Sequence, residues 1–269
     1  MNKQRAFTMI ELLVVIAIIG LLVGILFPAI GAVRRHAKQQ ENSSKVRVVV
    51  QGMVQASETR RGFFPGFDGF SFTAGGTATT GDTARPGQTV QARYWILLNG
   101  NYTDGESLIS PADNKTPWPN MDLPAADQQK VFTDNYSYAM SKLNDSNAAG
   151  TLDLLDRYRR EEWRNEQHAR APVIADRLGS TGSVTPIPGT PTTYLSIHDG
   201  SIEGEWIGSV GFGDIHVEFQ KTPLTSTRIS GEFTEEDDIF DDSDGAGGTV
   251  DKNAMMTYDG FDDPVGVIE

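Results

Sequence analysis

Cysteine is absent from the 269 residues, and histidine occurs only 4 times. Without thiols there are no disulfides, no thiolate metal sites and no cysteine nucleophile. The absence says nothing of compartment, because such a chain suits any redox poise. Cations are also scarce: 23 Lys and Arg against 36 Asp and Glu leave a net charge of −13. A nucleic-acid binder normally carries a basic face, so no nucleic acid is expected as a partner. The chain has no G-x-S-x-G elbow and no H-E-x-x-H pair. Gly211-Phe212-Gly213 lacks the third glycine and following helix of a phosphate loop. The sequence therefore offers no catalytic residues, and an enzyme is not expected.

What charge there is lies unevenly. Residues 1–60 hold 8 Lys or Arg and 3 Asp or Glu, whereas residues 232–269 hold 1 Lys and 13 Asp or Glu. Hydrophobicity is as uneven. Leu12 to Val33 is a run of 22 residues without a charge. As a helix it spans about 33 Å, enough for the hydrocarbon core of a bilayer. A buried core helix is rarely apolar on every face. A cleaved secretory signal has a shorter apolar region and small residues at its cut site. Here the run leads straight into Arg34-Arg35-His36.

Two residues do not suit a plain anchor. Glu11 sits on the edge of the run and Pro28 lies inside it. A carboxylate beside a membrane segment is costly and needs a partner. Proline removes a helical hydrogen bond, a break that neighbouring helices can tolerate in a membrane. Gly20 and Gly24 fit the small-xxx-small contact pattern, which is common in apolar segments. Lys3 and Arg5 favour a cytoplasmic N-terminus, but Arg34, Arg35 and Lys38 pull the opposite way.

The stretch Ala6-Phe7-Thr8-Met9-Ile10-Glu11-Leu12-Leu13-Val14-Val15-Ile16-Ala17-Ile18-Ile19-Gly20 resembles the class III signal of type IV pilins and type II secretion pseudopilins. The resemblance implies that residues 1–6 are a leader and that a prepilin peptidase cuts between Ala6 and Phe7. It also implies N-methylation of Phe7. The family usually has glycine where Ala6 stands. Glu11 and Pro28 fall on positions where such proteins carry Glu and Pro. Their expected role is assembly: Glu11 would pair with the amine of Phe7 on a neighbouring subunit, since a charge in a low-dielectric site is tolerable only when paired. Pro28 would let the helix bend or locally melt as subunits leave the bilayer. The implied location is the bacterial inner membrane, single-pass, with the head in the periplasm.

Beyond Val33 the helix is expected to continue as an amphipathic segment over 34–61. Val46, Val49, Val50, Met53 and Val54 recur at helical spacing. Gly62 and Pro65-Gly66 then read as stop signals. A head follows over 62–231. Residues 62–92 are loop-like, and 93–98 suit a short helix or strand turned by Asn99-Gly100. Residues 135–140 and 172–176 read as strands, and 153–170 as a charged helix with Leu154, Leu155, Tyr158 and Trp163 facing inward. Residues 209–219 read as a hairpin around Gly213-Asp214. The fold class expected is α+β and pilin-like, a long N-terminal helix packed on a small antiparallel sheet.

A second resemblance is carried by Ser110-Pro111-Ala112-Asp113, Ser137-Tyr138-Ala139-Met140-Ser141, His198-Asp199-Gly200 and Asp214-Ile215-His216-Val217-Glu218-Phe219. Together these are similar to the signature of a large bacterial group of pilin-like secretion proteins. Ile215 replaces the usual turn glycine, and Ser110 stands where cysteine is common. His198 and His216 are also the candidates for an acid–base or metal cluster with Asp199 and Asp214.

Residues 232–269 are expected to form a solvated acidic tail. Asp242-Ser243-Asp244-Gly245 overlaps an EF-hand core, but Phe240 stands where an acidic ligand is needed. A looser calcium site using Asp241, Asp244 or Asp259 is the alternative there; no other cofactor is expected. The function expected is a structural subunit of a type II secretion pseudopilus, with a type IV pilus subunit as the alternative. The missing cysteine pair, common near pilin C-termini, leans toward the former. Expected partners are copies of itself, other pilin-like subunits, the prepilin peptidase and an inner-membrane assembly platform. From another class, a membrane-anchored binding or hydrolytic domain would need a cleft lined by His198 and His216.

Overall fold

In a computed structural model, helix α1 runs from Met9 to Ser57 without interruption. The structure describes residues 9–67, 89–119, 133–143, 159–165, 169–178, 196–198, 206–229, 232–240 and 256–257. The two halves of α1 differ in burial. From Met9 to Glu41 no residue is buried. From Asn42 onward, Asn42, Val46, Val49, Val50, Gly52, Met53, Ala56 and Ser57 are. The spacing of Val46, Val49, Val50 and Met53 puts them on one face, and all four have 0% exposure. Each such side chain contributes about 1.5–3 kcal/mol by leaving water. The helix ends three residues before Arg60; Arg60 and Gly62 donate back to the Ser57 carbonyl, and Gly62 takes a φ of 85°.

That face of α1 packs on an antiparallel sheet of five strands in the order β4-β3-β2-β1-β7. These are β1 (Tyr138–Ser141), β2 (Pro172–Asp176), β3 (Gly208–Phe212), β4 (Val217–Gln220) and β7 (Met256–Thr257). Two further strands, β5 (Leu224–Ile229) and β6 (Glu232–Asp238), form a separate antiparallel pair. The architecture is α+β, as the sequence leads one to expect. Strands β1, β2 and β3 are buried along their whole length. Val173, Ile174, Ala175 and Val210 share one apolar core with the α1 face.

Close approach of α1 to the sheet depends on glycine at 211. A Cβ there would lie 2.7 Å from Ile174 Cγ2, 2.9 Å from Val50 Cγ2 and 3.0 Å from Val46 Cγ1. Gly52 on the helix admits a loop rather than the sheet: a Cβ there would meet the Tyr102 carbonyl oxygen at 2.6 Å.

Helix α2 (Val90–Asn99) resolves the choice left open at 93–98. Thr89 caps it, its hydroxyl accepting from the Ala92 amide at 3.2 Å. Arg93 on α2 has 0% exposure; it donates to the Ser141 carbonyl at 2.7 Å and lies 5.1 Å from the Trp163 ring centre. Burial pushes its guanidinium down to about 9, against a smaller upward pull from Tyr94.

Two elements differ from the sequence reading. The expected helix over 153–170 is helical only at 159–162 among its described residues. Trp163 then leaves the helix to be buried, its indole donating to the Pro65 carbonyl at 2.9 Å, and Arg164 bridges to Phe63. Leu154, Leu155 and Tyr158 lie outside the described residues. The second difference is the acidic tail. Its first residues, 232–238, are β6, and Ile239 and Phe240 are buried. Phe240 meets Trp206 edge-on at 5.3 Å, and the Met256 amide donates to the Ile239 carbonyl at 2.7 Å. Two apolar anchors and a ladder to β5 outweigh the charge that would keep such a segment in water.

Replacing Gly211 with alanine is expected to lower stability by about 1–3 kcal/mol, the usual cost of overpacking a core. Thermal unfolding of the detergent-solubilised chain measures it; an unchanged midpoint would contradict the close approach.

Candidate functional site: the N-terminal helix and its grip on the head

The N-terminal half of α1 exposes its apolar side chains. Leu12, Ile16, Leu21 and Phe27 are 56%, 60%, 67% and 70% accessible. Glu11 lies in the first turn and Pro28 is inside the helix, which continues through it. Proline has no N–H, so the Gly24 carbonyl one turn earlier loses its helical donor. Ala6 and Phe7 lie outside the described residues.

An apolar helix this exposed must be held by its other half. Asn42 is the first buried residue of α1, and its side chain is fully engaged. Its Nδ2 donates to Asp176 Oδ2 at 2.6 Å and to Ser209 Oγ at 2.9 Å. Its Oδ1 accepts from the Tyr138 hydroxyl at 3.2 Å. The carboxylate accepts only, so the orientation of the amide is fixed by Asp176. Asp176 Oδ2 also accepts from the Ser209 amide at 2.6 Å and from His198 Nε2 at 2.9 Å. One carboxylate thereby joins α1, β2, β3 and the His198 loop. Tyr138 stands opposite Asp176 in the register of β1 and β2. The Tyr94 hydroxyl donates to the Tyr138 carbonyl at 2.9 Å, extending the network to α2. Burial, with a smaller push from the Asp176 charge, holds the Tyr138 phenol far above its usual range.

His198 is therefore not where a catalytic residue would be. It is 3% exposed, and its ring meets Phe219 edge-on at 5.4 Å. Its carboxylate partner is Asp176, which sequence reasoning missed; Asp199 lies outside the described residues. The only signal for Asp176 was its place at the end of a strand otherwise apolar, Pro172-Val173-Ile174-Ala175. His216 does meet Asp214, as expected: its Nδ1 bonds Asp214 Oδ1, and its Nε2 lies 3.7 Å from Glu218. The ring stacks flat on Phe212 with centres 4.2 Å apart. These contacts shape the β3–β4 turn, in which Ile215 takes a φ of 74°. That conformation favours glycine and strains a β-branched residue, so the missing turn glycine has left its conformation behind.

Asp113 is held by Arg177 in a two-pronged pair, with Nε to Oδ2 at 2.9 Å and Nη2 to Oδ1 at 3.0 Å. Burial raises the Asp113 carboxyl, but the Arg177 hydrogen bonds and charge, with Lys115 and Ser137, bring it below its ordinary value. Ser110 is buried and starts this turn, its carbonyl accepting from the Asp113 amide at 3.0 Å. The calcium candidates Asp241, Asp244 and Asp259 lie outside the described residues. Among the described residues no cluster of three His, Asp or Glu is arranged to hold a metal ion.

Residues 1–27 match the family model described as the prokaryotic N-terminal methylation motif. The chain carries a prepilin-type signal. That motif is the class III signal of type IV pilins and pseudopilins, and it indicates a pilin-like or pseudopilin subunit. The signal and the apolar helix behind it fit a protein anchored in the inner membrane. No curated protein and no solved structure matches the chain.

Two outcomes follow from the geometry. Asn42→Ala is expected to cost about 2–4 kcal/mol, because it leaves a buried carboxylate and a buried phenol each short of a partner; chemical unfolding reads the loss. Asp113, with its folded value below 3.8, stabilises the fold above that value and ceases to as pH falls through the lower one. Arg177→Met should therefore flatten the decline of the melting temperature below about pH 4, while leaving Arg177-independent losses in place. An acid limb identical to wild type would rule out this pair as its source.

Proposed function

We propose that the chain is a structural subunit of a type II secretion pseudopilus. A prepilin peptidase cuts between Ala6 and Phe7 and methylates Phe7. The helix from Phe7 to Val33 holds the subunit in the inner membrane with the head in the periplasm, then packs with its neighbours in a filament. Glu11 pairs with the new N-terminal amine of the next subunit, which removes two charges from a low-dielectric site together. Pro28 loosens the helix during extraction.

The observation that carries this reading is the division of α1. One continuous helix presents 33 residues, Met9 to Glu41, with none buried, and then supplies the core face of the head. A lone membrane anchor has no need for such rigid coupling, whereas a filament built by packing helices does. The prepilin-type signal supports the same reading. A type IV pilus subunit would share every one of these features. The hydrolytic alternative loses its main support, since His198 is buried on Asp176.

The test is the intact mass and N-terminal peptide of the protein from its own host's membranes. A chain beginning at N-methylated Phe7 is expected. A start at Met1, or a cut beyond residue 30, would refute the filament reading. In a deletion strain, loss of protein secretion with surface pili retained supports the pseudopilus; loss of the pili points to the pilus instead.

A further inference from the structure

The helix carries a second feature that filament packing does not call for. Immediately after the apolar run come Arg34, Arg35, His36 and Lys38, all exposed. No Asp or Glu occurs from Leu12 through Gln40. All four precede Asn42, the first buried residue of α1. Basic residues on the trailing flank oppose the orientation set by Lys3 and Arg5. A charge pattern that works against insertion needs another use.

Position along the helix gives one. The apolar run fills about 33 Å, close to the hydrocarbon thickness. Arg34 to Lys38 then lie about 1.5–8 Å further along the axis, which is the depth of the headgroup layer. Long cationic side chains at that depth reach phosphate oxygens while their stems stay against the acyl boundary. Arginine forks match phosphate in two-pronged hydrogen bonds. The rest of the chain is strongly acidic, as the tail from 232 shows, so an anionic membrane surface would otherwise repel it.

We infer that Arg34, Arg35 and Lys38 form a binding collar for anionic phospholipid headgroups on the side of the membrane that faces the head. The inference rests on the reading that residues 12–33 cross the bilayer. The collar fixes how deep the helix sits, and it adds an attraction that a subunit must give up when it leaves the bilayer for a filament.

The test uses the full chain in nanodiscs of equal parts phosphatidylcholine and phosphatidylglycerol. Lipids retained on the released protein are counted by native mass spectrometry. Wild type is expected to retain phosphatidylglycerol over phosphatidylcholine by about a hundredfold, given roughly fivefold for each of three cations near an anionic surface. The triple variant Arg34→Gln, Arg35→Gln, Lys38→Gln should fall to about twofold or less. A variant with Lys3→Gln and Arg5→Gln, on the opposite leaflet, should keep most of the preference. Equal retention of the two lipids by wild type overturns the inference, as does a triple variant that behaves like wild type. Failure of the chain to enter nanodiscs would overturn the membrane-spanning reading and the collar with it. Entry without lipid preference would remove the collar alone. Arg34, Arg35 and Lys38 are exposed and lie outside the core-packing face of α1, so loss of the fold does not compete with the outcome of the triple variant.

Discussion

One carboxylate oxygen, Asp176 Oδ2, takes hydrogen bonds from Asn42 Nδ2, the Ser209 amide and His198 Nε2. Burying a carboxylate costs several kcal/mol unless it is hydrogen-bonded; Asp176 Oδ1 has no partner among the described residues, so the compensation falls on Oδ2, whose three donors come from three separate segments of chain. The charge therefore acts as a condition on assembly of the head: helix, strands and loop must all arrive before it is tolerable. Apolar packing alone would not specify that outcome. The Val46, Val49, Val50 and Met53 stripe is apolar and of similar bulk along its length, and a helix can slide on a sheet with modest loss. Asn42 cannot slide, because a shift of one residue would put a different side chain against Asp176. The polar node supplies register, and the valine stripe supplies most of the burial energy.

That division of labour matters because α1 has two surroundings. None of its first 33 described residues is buried by the head, so that half is open to surroundings outside the chain. A pull on that half is transmitted along a continuous helix into the head. The glycines at 211 and 52 let backbone and side chains approach there without gaps. Close packing makes the junction stiff, and the Asn42 hydrogen bonds resist both sliding and rotation. Pro28, by contrast, lies in the part that nothing in the head supports. If the helix is to yield anywhere, it yields on the membrane side of the junction and leaves the head intact.

Much of this was legible in the sequence, for identifiable reasons. The apolar run and the valine spacing are long, periodic signals, and they gave α1 to within a few residues at its end. The β3–β4 hairpin was legible from two alternating segments around Gly213-Asp214, even with Ile215 in place of glycine. The hairpin β5–β6 was not. Glu232-Phe233-Thr234-Glu235-Glu236-Asp237-Asp238 is poor in strand-forming residues, and its charge reads as a solvated tail. What overrides that reading is non-local: the ladder to β5, the Thr227–Asp237 hydrogen bond, and the burial of Ile239 and Phe240. The helix expected through 153–170 fails on the same ground, since the pull on Trp163 comes from Pro65, 98 residues away in the chain.

The histidines make the sharper lesson. His198 and His216 share a residue type and a neighbouring aspartate in sequence, and a cluster seemed natural. Their surroundings separate them. His216 does pair with its local aspartate, because a tight turn brings residues two apart within reach. His198 instead reaches Asp176, 22 residues earlier, and spends its ring on holding the head to α1. Asp113, Tyr138 and His198 come from three of the four sequence elements that pointed to the pilin-like group. Each meets β2 or its neighbours: Asp113 through Arg177, Tyr138 across from Asp176, and His198 on Asp176 itself. A motif scattered over more than 80 positions is thus one structural unit around the end of β2. Its residue types suit buried charge compensation, with aspartate as acceptor and tyrosine, histidine and arginine as donors. Acid–base chemistry would require at least one of them to face a substrate, whereas here His198 donates to Asp176, Tyr138 to Asn42 and Arg177 to Asp113.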